Sequence, residues 1–290
     1  MSDVDIVACN FRERSDSVFP FDKGLPSVRA FLERPELTSY GPRETIASVF
    51  DEYFSCGDIA GKLRFYDHHV CHFMCVQAFT ELEQAAGLAL DGSGDGRSGM
   101  MTMLSPDKVE IIEEYDIEVS LGNLYSDLIR FIGYNRFDEY KVMGLAPYGD
   151  ESILSPLFDE FVGTTEDGEI RVETQSEIWN RLHELGIAKK ARRKSEEFSK
   201  IHRDFAAALQ ATTESICANV IERTRRITGL DDLVLVGGVA HNSRMNGKIA
   251  RDCGFKRVIV PPTPHDAGGA LGAAIKGLSL IHISEPTRPY

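Results

Sequence analysis

The chain is short of positive charge: 32 Lys and Arg stand against 45 Asp and Glu in 290 residues, a formal net charge of −13. Affinity for nucleic acid rests largely on Lys and Arg neutralising phosphates, so nucleic acid is not an expected partner. There is also no run of 18 apolar residues, and no membrane span is expected. The six cysteines, at 9, 56, 71, 75, 217 and 253, contain no C-x-x-C pair and make no framework of the small secreted kind. With no secretory signal recognised, a reducing cytoplasm is the expected address. What is there is ordinary for a globular protein, 42% hydrophobic with a mean hydropathy of −0.19. The length suits one large or two modest domains.

The most informative stretch is Leu63–Gly96, LRFYDHHVCHFMCVQAFTELEQAAGLALDGSGDG. An apolar run ends in Asp-His-His, a helix-like segment follows, and a second apolar run closes on Asp91 and a glycine-rich turn. This predicts a strand, helix, strand unit with polar residues at the strand ends. A helix starting at Asp67 or His68 puts His68 and His72 at i and i+4 on one face, with Cβ atoms about 5–6 Å apart. Asp91, at the carboxyl end of the next strand, adds a carboxylate, giving a His-His-Asp metal site with open positions. His69 points about 100° away and is read as supporting the ligands or contacting a substrate. Cys71 and Cys75 lie near the same face, where buried small hydrophobes are favoured over soft ligands.

Ahead of this unit come a strand at Asp5–Asn10, a charged loop of Arg12, Glu13 and Arg14 read as solvated, and helices around Pro26–Glu33 and Arg43–Phe54. Behind it, Gly99–Leu104 and Val109–Tyr115 read as antiparallel strands about a Ser105-Pro106-Asp107 turn. Helical periodicity over Leu121–Tyr134 leads into EYKVMGLAPYG at 139–149, a short helix that Pro147 should end. Glu139 and Lys141 there are either a surface pair or ligand contacts. Residues 150–200 read as polar and irregular, with a solvated basic cluster AKKARRKSEEF at 188–198. The clearest helix is 201–228, striped by Phe205, Leu209, Ile216, Val220, Thr224 and Ile227 and stopped by Gly229. Leu233–Val236 is a central strand ending in Gly237-Gly238, and a helix follows. Glycines at such a turn let backbone N–H groups approach phosphate. After a strand at Val258–Val260, Asp266 opens a small-residue helix, as its N-cap or as a metal ligand.

Five segments carry a family resemblance: DHHVCHFMCVQAF, LALDGSGDG, EYKVMGLAPYG, LVLVGGVAHNSRMN and PHDAGGALGAA. In that order they resemble the NodU/CmcH family of O-carbamoyltransferases. The resemblance implies an α/β fold of the two-lobed actin, Hsp70 and sugar-kinase class, with ribonuclease-H-like mixed sheets. It places a first lobe at 1–120, incomplete at the amino end, and a second, nucleotide-binding lobe at 121–277. Residues 278–290 resemble a translated sequencing adapter and are set aside, and the YrdC-like domain that follows in the family is expected to be absent. The implied reaction moves a carbamoyl group from carbamoyl-adenylate to a hydroxyl of a small-molecule acceptor, sugar or antibiotic-like. The implied divalent metal, iron(II), is held by His68, His72, Asp91 and Asp266. ATP or carbamoyl-adenylate is met by Gly237, Gly238, Asn242 and Lys141, and His69 and Lys141 are the expected catalytic side chains, His69 as proton acceptor. A homodimer is left open. The alternatives are a tRNA threonylcarbamoyl transferase, a sugar kinase, and a nucleotide-binding module without turnover.

Overall fold

The computed structural model describes residues 4–13, 42–54, 59–106 and 108–284. Arg14, the helix expected around Pro26–Glu33, and Asp107 lie outside the described residues. In chain order the main elements are β1 (Val7–Cys9), α1 (Pro42–Phe54), β2 (Leu63–Phe65), α2 (His68–Met74), β3 (Ala85–Gly94), β4 (Arg97–Ser105) and β5 (Lys108–Asp116). There follow α3 (Leu121–Leu128), α4 (Tyr140–Leu145), α5 (Ser155–Phe161), β6 (Val162–Thr164), β7 (Ile170–Val172), α6 (Gln175–Glu184) and α7 (Lys200–Thr228). The chain continues through β8 (Asp232–Val236), α8 (Ser243–Asp252), β9 (Arg257–Ile259) and α9 (Asp266–Ser284). The described residues fall into two compact units. One takes those within Met1–Thr80, Gly94–Gly96 and Asp266–Tyr290, the other those within Glu81–Ser93 and Arg97–His265.

In the first unit β1 and β2 pair in parallel, Val7 opposite Leu63 and Cys9 opposite Phe65. The charged loop after β1 is not simply solvated. Arg43 holds Glu13 bidentately at 2.7 Å, donates to the carbonyls of Ala60 and Leu63, and lies over the Phe65 ring. Helix α9 packs on α2 with backbone nearly touching backbone: a Cβ at Gly272 would stand 1.8 Å from the Cys71 carbonyl oxygen. Gly272 of PHDAGGALGAA is thus required by this approach. The helix runs on to Ser284, beyond the Gly277 at which the sequence reading stops.

The second unit is built on a five-stranded mixed sheet of order β5-β4-β3-β8-β9. β4 and β5 are antiparallel, whereas β8 runs parallel to both β3 and β9. Ala86–Ala89 of β3 and Leu233–Val236 of β8 are fully or nearly fully buried, as central strands covered on both faces should be. Ile216, Val220 and Ile221 of α7 and Met245 and Ile249 of α8 belong to the core that contains them. The amino-terminal half of α7 serves a second core, in which Phe205 stacks on Phe131 and meets Phe158 edge-on. Gly229 ends α7 in the left-handed conformation at φ 66°. Ile227, the last residue of the expected stripe, is 44% exposed.

Three local expectations are corrected. The Leu121–Tyr134 helix is α-helical to Leu128 and then tightens to a 3₁₀ turn at Ile129–Ile132, closed by Gly133 at φ 79°. Pro147 does not stop the chain's coiling either; it sits in a 3₁₀ turn, Ala146–Tyr148, that continues α4. Residues 150–200 are not irregular. Phe158 and Phe161 of α5 and Ile178 and Leu182 of α6 are buried at helical spacing, and Thr174 with Glu177 forms a reciprocal capping box. In the basic cluster, Arg192 is a staple: it donates to the carbonyls of Ile132, Lys194 and Glu196 and lies 4.0 Å from the Phe198 ring centre.

Two glycines of α9 separate helix propensity from packing. Gly272→Ala is expected to destabilise the chain by about 1–3 kcal/mol, because the new methyl group overpacks the contact with Cys71. Gly277→Ala, whose nearest neighbours would lie at ordinary contact distances of 3.6–3.7 Å, gains about 1 kcal/mol of helix propensity. Thermal unfolding of the two variants checks the opposite signs.

Candidate functional site

Helix α2 is short, and its position is set at its first turn. Asp67 is the N-cap, its Oδ1 accepting the Val70 N–H at 3.0 Å. Its other oxygen takes Arg12 Nε at 2.9 Å. Asp95 accepts the His68 N–H at 2.8 Å and the Arg12 N–H at 2.9 Å. Two carboxylates thus satisfy the helix amino terminus, where negative charge is favoured. Arg12 ties the two carboxylates together.

This turn fixes His68. Its Nδ1 lies 3.3 Å from the Asn10 carbonyl oxygen, an arrangement that puts the ring proton on Nδ1 and the lone pair on Nε2. Gly94 presses on the ring, since a Cβ there would stand 2.0 Å from His68 Cδ2. His72, one turn on, brings its Nε2 to 3.0 Å from that of His68. Asp266, the first residue of α9, places Oδ1 3.4 Å from His68 Nε2 and 3.7 Å from His72 Nε2. Ligands with bonds of about 2.0–2.2 Å to one ion, at angles of about 90–120°, stand about 2.8–3.8 Å apart, so the donor set and its spacing fit a divalent metal. Both imidazoles are buried, while the Asp266 side chain is 71% exposed.

Asp91, the fourth expected ligand, belongs to the second unit. Its Oδ1 accepts the N–H of Gly92 at 2.7 Å and of Gly238 at 3.0 Å. The Ser120 hydroxyl reaches the carbonyl oxygens of Asp91 and Gly92 at 3.0 and 2.7 Å. Gly237 adopts φ 90°, and a Cβ on it would collide with the backbone of Leu90 at 2.2 Å; a Cβ on Gly238 would meet Asp91 Oδ1 at 3.0 Å. The need for glycine at 237 is therefore met inside the protein, by the close approach of this turn to the end of β3, whereas at 238 the tight neighbour is the Asp91 side chain.

The remaining predicted site residues are spread out. Asn242 is turned inward: its Oδ1 caps α8 through the Met245 N–H, and its amide pairs reciprocally with that of Gln210, both bonds at 3.0 Å. Lys141 is ion-paired with Asp138 and lies over the rings of Tyr134 and Tyr140. Glu139, its expected partner, accepts from Ser126 instead. His69 is completely buried in α2, so the proton-acceptor role expected of it would require the helix surroundings to open. Cys75 is pushed up to about 11 by burial, and its thiol donates to the His72 carbonyl; Cys71 is raised further by the same cause. Both are packing thiols at neutral pH, as expected. Sequence reasoning missed His241 and His265, whose ring centres lie 4.4 Å apart with the planes tilted by 58°. Burial and then His265 lower the His241 pKa, and Asp91 opposes them.

A family model for the carbamoyltransferase N-terminus matches residues 46–275. The chain belongs to that family. Within it, the chain is similar to the nodulation proteins NolNO of Sinorhizobium fredii, 38% identical over 78% of this chain and 32% of that protein, and NolO of Bradyrhizobium diazoefficiens, 39% identical over 72% and 37%. It thus spans about a third of the length of these curated relatives. Among solved structures, the activator of the 2-hydroxyisocaproyl-CoA dehydratase from Clostridium difficile with bound ADPNP aligns over 86% of this chain and 85% of that one, at 15% identity and a TM-score of 0.48. Among the described residues of this family member, no helix is long and apolar enough to cross a membrane.

The role of Gly94 is separable from its turn. Gly94→Ala should displace the His68 ring and weaken binding of a divalent metal by about 10–100-fold, as loss of a ligand-orienting contact does. Gly96→Ala, with a left-handed φ of 79° but open space around the site of the new methyl group, should lower stability and leave metal affinity unchanged. Titration with Zn²⁺ or Co²⁺ distinguishes them.

Proposed function

We propose that this chain carries the acceptor half-reaction of an O-carbamoyltransferase, moving a carbamoyl group from carbamoyl-adenylate to a hydroxyl of a small-molecule acceptor, a sugar or an antibiotic-like compound. Two lines support this reading: the family match, and the convergence of His68, His72 and Asp266 on one point. The convergence carries it, because two imidazoles and a carboxylate at ligand spacing are not what a Mg²⁺-dependent sugar kinase needs.

In this reading the acceptor oxygen forms a bond to the carbamoyl carbon, the bond from that carbon to the adenylate phosphate oxygen breaks, AMP leaves with the electron pair, and the hydroxyl proton passes to a base. His68, His72 and Asp266 hold a divalent ion, with Asp91 as the fourth ligand we assign. Such an ion, iron(II) by family expectation, polarises a carbonyl and offsets charge developing on its oxygen. The chain's own part is to fix the donors beforehand. Asp67, Asp95 and the Asn10 carbonyl orient His68, and the N–H groups of Gly92 and Gly238 hold the Asp91 carboxylate. Gly237, Gly238 and Lys141 are proposed to meet the nucleotide, and the buried His69 to take the proton once its surroundings open. A binding module without turnover is the second reading, favoured by the complete burial of His69, the expected proton acceptor.

Synthetic carbamoyl-adenylate supplied to the purified, metal-loaded chain with a panel of sugars should yield a carbamoyl ester together with AMP. Formation of neither product beyond that formed without protein removes the transferase reading in favour of the module.

Metal content tests the ligands independently. Asn is nearly isosteric with Asp at this first residue of α9, but its neutral amide is a poorer ligand for a divalent ion. Asp266→Asn should therefore keep the fold and lose metal, much as His72→Ala does. Wild-type occupancy in Asp266→Asn strikes that residue from the set.

A further inference from the structure

The second unit contains a cavity of about 360 Å³, near the lower end of the range for small-molecule sites. It lies where the turn after β5 and helix α3 meet the segment from β7 into α6. Its apolar floor includes Leu128 and Ile178, and its wall includes Trp179, the single tryptophan of the chain. Every charged residue lining it is acidic: Glu118, Asp127 and Glu173. Glu173 is engaged by Arg171 at 2.9 Å. Glu118 and Asp127 have no ion pair among the described residues. Burial raises the Asp127 pKa, and Arg130 and Arg136 oppose this from outside the lining. Half-buried Asp127 and exposed Glu118, with Trp179 and apolar side chains in the same lining and no cation among them, leave negative charge to be met by whatever enters.

We propose that this cavity binds a small organic ammonium ion, its positive charge set between Asp127 and Glu118 and its carbon skeleton against Trp179 and the apolar floor. An ammonium group is attracted both by carboxylates and by the face of an indole, and the attraction grows as the site excludes water. An anion would meet two like charges, and a neutral sugar would gain nothing from the charge of either carboxylate. The volume limits the ligand to about one ring or a short branched chain. The wall is also bonded to the end of β3. Ser120, which lines the cavity, is the residue whose hydroxyl reaches the carbonyls of Asp91 and Gly92. A ligand here would press on the segment that carries Asp91. The inference stands on the cavity and does not depend on carbamoyl transfer.

The single tryptophan reports occupancy of the unmodified chain directly. Choline and glucosamine, a quaternary and a primary ammonium ion, are titrated at constant ionic strength against their neutral counterparts, 3,3-dimethylbutan-1-ol and glucose. At least one cation is expected to change Trp179 fluorescence saturably and to bind about tenfold or more tightly than its counterpart, equivalent to about 1.4 kcal/mol. The arm that responds identifies the head group. Asp127→Asn, nearly isosteric and at a half-buried position, should weaken the cation about tenfold with unchanged thermal stability and leave the neutral compound unaffected. Equal affinity for a cation and its neutral counterpart overturns the proposal, as does an unchanged cation affinity in the doubly substituted Asp127→Asn, Glu118→Gln chain. Absence of any saturable change with both cations overturns it too.

Discussion

Asp67 and Asp95 each accept a backbone N–H at the start of α2, at 3.0 and 2.8 Å, and Arg12 bonds to both of them. A helix of seven residues cannot hold itself in place by propensity, because nucleation is costly and the hydrogen bonds gained are few. These contacts fix its first turn, and with it the direction of His68 and, one turn later, His72. The close packing of α9 on α2 then brings Asp266 into range. Donors positioned this way keep their spacing only while the helix start stays anchored. That accounts for residues with no ligand role, Arg12 and Gly94 among them, sitting so tightly around it.

Where the donors would lie was legible in part. His68 and His72 follow from a local rule, since i and i+4 residues share a face whatever the tertiary fold. Asp67 as a cap is equally local. Asp266 was recognised through family resemblance, and its distances to the two imidazoles come from the packing of α9 on α2, which no local pattern encodes. The segment 150–200 was misread for a different reason. Its charged residues mask the apolar stripes, although Thr174 and Glu177 stand at capping-box spacing ahead of Ile178 and Leu182. The charged loop at Arg12 and Glu13 was misread because isolated charge runs are usually solvated. Here the partners, Asp67 and Arg43, lie far along the chain.

A buried polar network joins α7 to the start of α8. Gln210, completely buried, pairs its amide with that of Asn242, accepts from Tyr125 at 3.0 Å and donates to Glu214 at 2.8 Å. Glu214, itself buried, is compensated by Arg244 at 2.9 Å and Lys248 at 3.7 Å on α8. Leaving any member of such a network unsatisfied costs about 1–3 kcal/mol, so the network enforces one arrangement of these two helices. Asn242 is read naturally from sequence as a ligand contact because it follows a glycine turn. Its amide is instead spent on this interior, and its influence on anything bound near the turn passes through the position of α8.

The glycine turn shows why motif position and motif purpose are different inferences. Gly-Gly after a central strand is required wherever backbone must approach something closely, and the sequence cannot say what. The N–H of Gly238 points at the Asp91 carboxylate, and the positive φ of Gly237 is needed because its neighbour is the Leu90 backbone. An N–H group donating to a carboxylate at 3.0 Å cannot also serve a phosphate without the carboxylate giving way. Nucleotide binding at this turn would therefore either draw on other donors or shift Asp91. The second case would couple nucleotide occupancy to the position of the Asp91 carboxylate through one hydrogen bond.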